Sequence, residues 1–146
     1  MNILALDLGY KRFGWAVNCF DEIESGNESA EIRALDFMRR IEDFCFLYKL
    51  DVICYENACF QKGEAGRHWQ DTRVATEIAA QTYGIPIRFV HTATLKLCVT
   101  GNGHAKKADM IAAVNQIYGL NVTDDNEADA LGVLYWFEQN KEELMQ

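Results

Sequence analysis

Short apolar runs separated by polar turns dominate the start of the chain and recur further along it. Residues 3–7 and 13–17 are compact apolar segments, and the LGYKR that joins them suits a tight hairpin. Residues 21–26 are weakly patterned as a third strand. Residues 51–56 (DVICYE), and residues 87–90 after the only proline, have the apolar character of buried strands. The pattern therefore predicts four strands and indicates a fifth.

Helical periodicity alternates with the later strands. Residues 29–48 carry apolar side chains at spacings of three and four, namely Ile32, Leu35, Met38, Ile41, Cys45 and Tyr48. Residues 72–83, 105–118 and 126–137 are predicted to form three further helices, and the polar segment 57–71 is predicted to be a loop or helix entry. This order predicts an α/β fold in which helices cover both faces of a mixed sheet.

Size and composition predict one globular domain over residues 1–146. Hydrophobic residues make up 49% of the chain, and no apolar run approaches the ~20 residues of a membrane span. The N-terminal segment contains Asp7 and has no signal-peptide cleavage pattern, so we expect a cytoplasmic protein. The cysteines show no C-x-x-C spacing and are expected to be reduced and structural: Cys19, Cys45, Cys54, Cys59 and Cys98.

The net charge of −8 argues against a nucleic-acid partner, because phosphate binding usually needs a basic surface. The distribution of charge weakens this objection. Residues 57–108 hold seven basic and three acidic residues, a local net charge of +4, so the rest of the chain carries −12. Cations bound to a carboxylate cluster would offset part of that negative charge.

Two acidic residues close apolar strands. Asp7 ends the first strand and Glu56 ends the segment DVICYE. If these strands are parallel neighbours, their carboxyl ends lie side by side, where open α/β sheets place functional groups. The alternative for each residue is a strand end that simply meets solvent.

Asp129 lies in ADALGVLYWF, which is apolar around almost the whole helical circumference. A carboxylate there needs a partner, because an isolated buried charge is very costly. Asn126 and Asp125 lie one turn earlier and share a helix face with it. Asp124, Asp125 and Asn126 also suit an N-terminal cap, but Asp129 lies too far into the helix for capping.

Oxygen ligands without an organised His/Cys set favour Mg²⁺ or Mn²⁺ over zinc, and two such ions suit phosphoryl chemistry.

Four segments, taken in order, carry a family resemblance: ILALDLGYKRFGWAV, DVICYEN, HTATLKLCVTGNGHAKKADMIAAV and DDNEADALGVLYW. They resemble the RuvC-type Holliday-junction resolvases of the RNase H-like superfamily, close to the small versions that phages encode. The resemblance implies an RNase H-like fold and a homodimer that nicks four-way DNA junctions symmetrically with Mg²⁺. It also implies action in the host cytoplasm if a phage encodes the chain. The catalytic acids would be Asp7, Glu56 and Asp129.

One position departs from the family pattern. Many relatives have an acid three residues before the final Asp, where this chain has Asn126. An amide oxygen still coordinates a hard cation, so Asn126 is expected as a fourth metal ligand. Because it carries no negative charge, we expect weaker metal binding there or help from Asp125.

The resemblance also indicates residues that contact DNA. Lys107 matches a family lysine near the scissile phosphate, and Lys96 matches one on a flanking phosphate; for these and for Lys106 the alternative is a solvated surface lysine. Aromatic and basic side chains after Glu56 suit unstacked junction bases, and the predicted contacts there are Phe60, Lys62, Arg67, Trp69 and Arg73. The alternative for Phe60 and Trp69 is a place in the core of the following helix.

Three other functions remain open at this stage. A nuclease of the YqgF type, acting on other branched DNA or structured RNA, shares the opening LDLGYKRFG. A sugar-kinase or actin-type ATPase shares D-x-G-x-x-x-x-G, but it needs a second such loop and a nucleotide-binding half, so no nucleotide cofactor is expected. The third alternative is a catalytically weak module that binds junctions, and the uncharged Asn126 is the only feature that supports it.

Overall fold

Five strands form one sheet in the computed structural model, which describes residues 1–58 and 62–146. The strands are β1 (Ile3–Asp7), β2 (Arg12–Cys19), β3 (Glu22–Ser29), β4 (Val52–Asn57) and β5 (Ile87–His91). Their order across the sheet is β3-β2-β1-β4-β5. β1 and β3 run antiparallel to β2, whereas β4 runs parallel to both β1 and β5. The predicted mixed sheet is confirmed.

The described helices are α1 (Ala34–Tyr48), α2 (Gly63–Tyr83), α3 (Thr92–Thr100), α4 (Lys107–Tyr118) and α5 (Asp125–Leu144). They cover both faces of the sheet, because successive strand residues point to opposite faces. Leu4 and Leu6 of β1 are buried with side chains of α1 and α2. Ile3 and Ala5 are buried with side chains of α3, α4 and α5. Over the described residues, no helix is both long and apolar enough to cross a membrane.

Helix α2 begins at Gly63, well before the predicted start at residue 72. Of the two alternatives predicted for residues 57–71, a loop is therefore wrong from residue 63 onward, and a helix entry is the one that the structure shows. The polar side chains that suggested a loop form the exposed face of the helix, while Trp69 and Thr72 point inward and are buried. An amphipathic helix with a narrow apolar stripe reads as polar when only its composition is considered.

Two other helix boundaries and one whole helix differ from the sequence pattern. α1 begins at Ala34 instead of residue 29, because residues 22–29 continue as the edge strand β3. α5 continues past residue 137 to Leu144. Helix α3 was not predicted at all, since three of its nine residues are threonines, which have low helix propensity, and only Leu95 and Val99 bury a side chain.

Helix α5 meets the β1–β2 hairpin at very short range. A Cβ atom on Gly14 would lie 1.9 Å from the backbone oxygen of Asn126. Only glycine leaves room for this contact, so Gly14 allows the first turn of α5 to rest directly on β2. Because Asp129 lies one turn further along α5, the same contact determines where Asp129 meets the sheet.

Gly14→Ala is therefore expected to lower the free energy of unfolding by about 2–3 kcal/mol, because the added methyl group must displace the α5 backbone. Urea denaturation followed by circular dichroism measures this loss. Gly103→Ala is the matched control: its Cβ meets only the Ala93 carbonyl oxygen at 3.5 Å. That variant should stay within about 0.5 kcal/mol of the original protein. An equally stable Gly14→Ala protein would contradict the close approach.

Candidate metal and nucleic-acid site

Three carboxylates converge at the carboxyl edge of the sheet. One oxygen each from Asp7, Glu56 and Asp129 lies within 4.8 Å of the others. This is the one group of three or more acidic, histidine or cysteine ligands found in residues 1–58 and 62–146. All three side chains are partly buried. The structure thus brings together the residues that the sequence analysis selected separately.

The strand register places the first two acids side by side. β1 and β4 are parallel, and Leu6 is paired with Tyr55, so the next residues on the two strands are Asp7 and Glu56. Both strands are buried on both faces, which fixes their register against slippage. Asp129, in the second turn of α5, brings its carboxylate to the same carboxyl ends of β1 and β4.

Burial and mutual repulsion dominate the electrostatics of the cluster. Burial first, and then the carboxylates of Asp129, Glu56 and Asp125, raises the pKa of Asp7 well above its ordinary value. Burial, followed by Glu56 and Asp125, raises the pKa of Asp129 to about 7. The positive charge of Lys107 offsets part of both shifts. A cation among these oxygens would relieve the repulsion and favour the ionised carboxylates.

The donor set and its spacing fit a hard divalent cation. Each Mg–O bond is about 2.1 Å long, so two oxygens on opposite sides of one ion are about 4 Å apart. Carboxylate oxygens within 4.8 Å of each other need only small movements to reach such an ion. The absence of histidine and cysteine from this cluster favours Mg²⁺ or Mn²⁺ over zinc.

Asn126 lies beside the cluster, on the first turn of α5. A Cβ atom on Gly9 would be 3.1 Å from the Asn126 amide oxygen, so this oxygen faces the loop that follows Asp7. The position is compatible with the predicted fourth ligand, and that role stays a prediction.

A residue that the sequence analysis missed supports Glu56. The hydroxyl group of Thr92, the first residue of α3, donates a hydrogen bond to the Glu56 carboxylate. This bond orients Glu56 toward the cluster and leaves its other oxygen available. The contact follows from the turn between β5 and α3, and α3 itself carried no clear sequence signal.

Lys107 stands at the start of α4 and makes an ion pair with Asp125, with Nζ 2.6 Å from the carboxylate oxygen. The hydrogen bond with Lys107 holds the pKa of Asp125 below its ordinary value, and the same bond raises the pKa of Lys107. Asp125 lies outside the three-residue cluster. In the structure, therefore, the Asp125 carboxylate binds Lys107. The sequence analysis had also considered Asp125 as a possible metal ligand.

The remaining predicted DNA contacts fall on elements that begin near the carboxyl edge of the sheet. Lys62 and Lys106 are the N-cap residues of α2 and α4, and both are exposed. Arg67 is exposed on α2, and Lys96 is partly exposed on α3. Their contacts with DNA stay predictions. Phe60 lies outside the described residues.

Trp69 is a correction to the predicted DNA contacts. Its side chain is 4% exposed and belongs to the core between the sheet, α1 and α2, so its ring is not available to stack on a base. The Arg73 guanidinium lies 5.8 Å from the centre of the Trp69 ring and pairs with Glu77 at 2.6 Å. Arg73 thus has an intramolecular partner, and its contact with DNA stays a prediction.

Tyr10, three residues after Asp7, is an aromatic residue that the sequence analysis did not select. It lies in the β1–β2 turn, is 37% exposed, and contacts His68 of α2 edge-on with ring centres 5.7 Å apart. Its position just before Lys11 and Arg12 in the sequence was the available signal. In the structure, however, Tyr10 lies beside the carboxylates of Glu64 and Glu31, which would oppose a nucleic-acid phosphate.

Comparison with known proteins identifies the fold through structure and not through sequence. No sequence-family model and no curated protein sequence matches the chain. The Thermus thermophilus RuvC structure has a TM-score of 0.79 at 19% identity, covering 98% of this chain and 96% of that one. T. thermophilus RuvC in complex with Holliday junction substrate gives the same TM-score and identity, with coverages of 97% and 96%. Ydc2, the yeast mitochondrial Holliday junction resolvase, has a TM-score of 0.50 at 13% identity, with coverages of 96% and 82%.

These similarities define the class of fold. The chain is a mixed α/β protein of the RNase H-like type, and within that type it has the RuvC-like fold along nearly its whole length. The predicted fold and the resemblance to RuvC are thereby confirmed at the level of structure.

Proposed function

We propose that this chain is a metal-dependent endonuclease that resolves four-way DNA junctions by paired symmetric nicks. The observation that carries the proposal is the convergence of Asp7, Glu56 and Asp129 at one edge of a RuvC-like fold. T. thermophilus RuvC, which shares this fold, has been solved with a Holliday junction substrate. Fold alone does not specify function, so the proposal depends on the chemistry of this cluster.

The cluster would hold two Mg²⁺ ions, for which Mn²⁺ can substitute, through Asp7, Glu56 and Asp129, with Asn126 as a further oxygen ligand. When bound, the ions supply activation of the attacking water and charge stabilisation of the leaving oxygen in an in-line displacement. Thr92 orients Glu56 through its hydrogen bond. Lys107 supplies positive charge for the scissile phosphate, as a point charge on a flexible stem.

The proposed unit is one nuclease domain that acts as a homodimer. A four-way junction offers two strands related by a two-fold axis, and a symmetric dimer presents two copies of the site in the same relation. Leu35, Val74 and Ile78 expose apolar side chains around a groove between α1 and α2, which supplies a surface suited to a second copy.

Cleavage of labelled substrates tests the proposal. The protein is incubated with an end-labelled four-way junction, a linear duplex of matching sequence and a single-stranded RNA, each with Mg²⁺ or with EDTA. We expect nicks at symmetric positions in the junction alone, and none in EDTA, because the carboxylates require their cations. Equal cutting of all three substrates would refute junction selectivity, and a nick in only one of the two symmetric strands would refute action as a symmetric dimer.

The uncharged side chain at position 126 favours one other candidate function. Asn126 contributes no charge where many RuvC-type relatives have an acid, so a weakly catalytic junction-binding module is the second possibility. Tight junction binding without cleavage in either Mg²⁺ or Mn²⁺ would support that module. Preferential cutting of other branched DNA or of structured RNA would instead support the YqgF-type alternative.

A further inference from the structure

The ion pair between Lys107 and Asp125 joins the first residue of α4 to the first residue of α5. Its N–O distance is 2.6 Å, and the two side chains are 80% and 33% exposed. Lys107 makes no ion pair with Asp7, Glu56 or Asp129, although all of these residues are described. The ammonium group therefore stands next to a cluster of three carboxylates without binding any of them directly.

Asp125 is not needed to cap α5. The N-cap residue is Asp124, whose carboxylate accepts a hydrogen bond from the Glu127 backbone N–H at 2.9 Å. The Asp125 carboxylate is also outside the cluster that fits a metal ion. Its described ion-pair partner is Lys107, across the gap between two helix N-termini.

We propose that Asp125 is a positioning residue, which holds the Lys107 ammonium group beside the carboxylate cluster and keeps it off the metal-binding oxygens. This inference rests on the proposed function of the cluster. A lysine free to move next to several carboxylates is drawn to bind them, since the attraction grows as the separation falls. In that position its ammonium group would compete with the metal ion. Asp125 supplies a nearer partner and leaves Asp7 and Asp129 open.

The same contact prepares Lys107 for a phosphate. A lysine side chain has many rotamers, and holding it in one region reduces the ordering required when the substrate arrives. Asp125 directly precedes Asn126, the position at which the ligand set lacks a charge. The acid at position 125 thus adds negative charge near the site, but its carboxylate is committed to Lys107 instead of to the metal.

A double-mutant cycle tests this assignment on the full chain with four proteins: the original, Asp125→Asn, Lys107→Ala and the double variant. Isothermal titration calorimetry measures Mn²⁺ binding without DNA, and single-turnover assays measure junction cleavage. Asp125→Asn is expected to weaken Mn²⁺ binding about tenfold and to slow cleavage about 10- to 100-fold. Lys107→Ala alone should leave Mn²⁺ affinity within about twofold of that of the original protein. Added to Asp125→Asn, it should restore the Mn²⁺ affinity that Asp125→Asn loses. The double variant should cleave no more slowly than Lys107→Ala.

Two further variants separate positioning from a general effect of charge or folding. Asp125→Glu keeps a carboxylate for Lys107 and should recover most of the cleavage rate. Glu127→Gln removes the same charge from the same turn of α5, where its carboxylate accepts the Ser25 hydroxyl at 2.8 Å, and it should leave both measurements unchanged.

Different outcomes identify different failures. If Asp125→Asn loses the same Mn²⁺ affinity in the original protein and in the Lys107→Ala background, the positioning role is overturned. Asp125 would then act on the metal itself. Unchanged affinity and cleavage in Asp125→Asn would also overturn it. A coupled Mn²⁺ cycle in a protein that does not cut junctions would support the positioning role and refute the proposed nuclease.

Discussion

Asp129→Asn is expected to lower the rate of junction cleavage by at least about 10³-fold while leaving junction affinity within about threefold. The amide keeps the size and one oxygen of the carboxylate but loses its charge. Asp129 is one of three acids in the cluster, so this loss removes about a third of the negative charge available to hold the cations. The effect falls on the chemical step, since DNA affinity depends mainly on basic side chains elsewhere on the surface.

Single-turnover cleavage and an electrophoretic binding assay in Ca²⁺ separate the two quantities. Glu142→Gln is the matched control, because it makes the same chemical change on an exposed residue near the end of the same helix. That variant should cleave at the original rate. Cleavage by Asp129→Asn within tenfold of the original would remove Asp129 from the catalytic set, and a parallel loss of junction binding would show that the substitution disturbs the DNA surface.

The convergence of the acids was predictable because each had an unusual local setting. Asp7 and Glu56 interrupt apolar strands at the same end, and parallel pairing then brings them together. Asp129 interrupts an apolar helix. Burying a charge is so costly that an acid within an apolar segment can be recognised from the sequence alone. The distance between the acids depends on the strand order and on the close contact at Gly14, and no local sequence pattern reveals either of these.

The contacts around the acids were not predictable in the same way. Thr92 supports Glu56 only because β5 ends beside β4 and α3 turns back at that point. Lys107 and Asp125 meet because two helices begin side by side. Trp69 had two plausible environments, and the structure places it in the core because α2 starts early enough to turn that side chain inward. Such contacts arise from tertiary structure, and residue type and spacing do not encode them separately.

The raised pKa values in the cluster have a consequence for stability. In the metal-free protein, the pKa of Asp129 is about 7 and that of Asp7 is well above its ordinary value. Both groups therefore bind a proton more tightly in the folded protein than in the unfolded chain. The contribution of Asp129 to folding stability therefore falls as the pH rises from the unfolded value near 3.8 toward about 7, because the folded state has to give up that proton, and Asp7 acts in the same direction. Below the unfolded pKa the contribution is at its most favourable.

Asp129→Asn should consequently be more stable than the original protein at pH 8 without metal. A pKa raised from 3.8 to about 7 corresponds to about 4 kcal/mol, and for a chain of this size that is roughly 10–15 °C in melting temperature. The difference should shrink as the pH falls toward 4, where the original carboxylate is protonated. Thermal unfolding in EDTA, followed by circular dichroism between pH 4 and 8, measures it, with Glu142→Gln as the control of equal charge.

Millimolar Mg²⁺ should reverse this order at pH 8, because a cation that binds only the folded state stabilises it and binds best to the complete set of carboxylates. The original protein would then gain melting temperature while Asp129→Asn gains little. An Asp129→Asn protein that is less stable than the original in EDTA at pH 8 would mean that the carboxylate is well solvated or well paired without metal. The combined result expected here, a variant that is inactive, more stable without metal and unresponsive to Mg²⁺, distinguishes a functional cluster from a structural one. A structural cluster would lose stability when one of its members is removed, whereas these acids repel one another at a cost that Lys107 offsets only in part and that a bound cation would offset further.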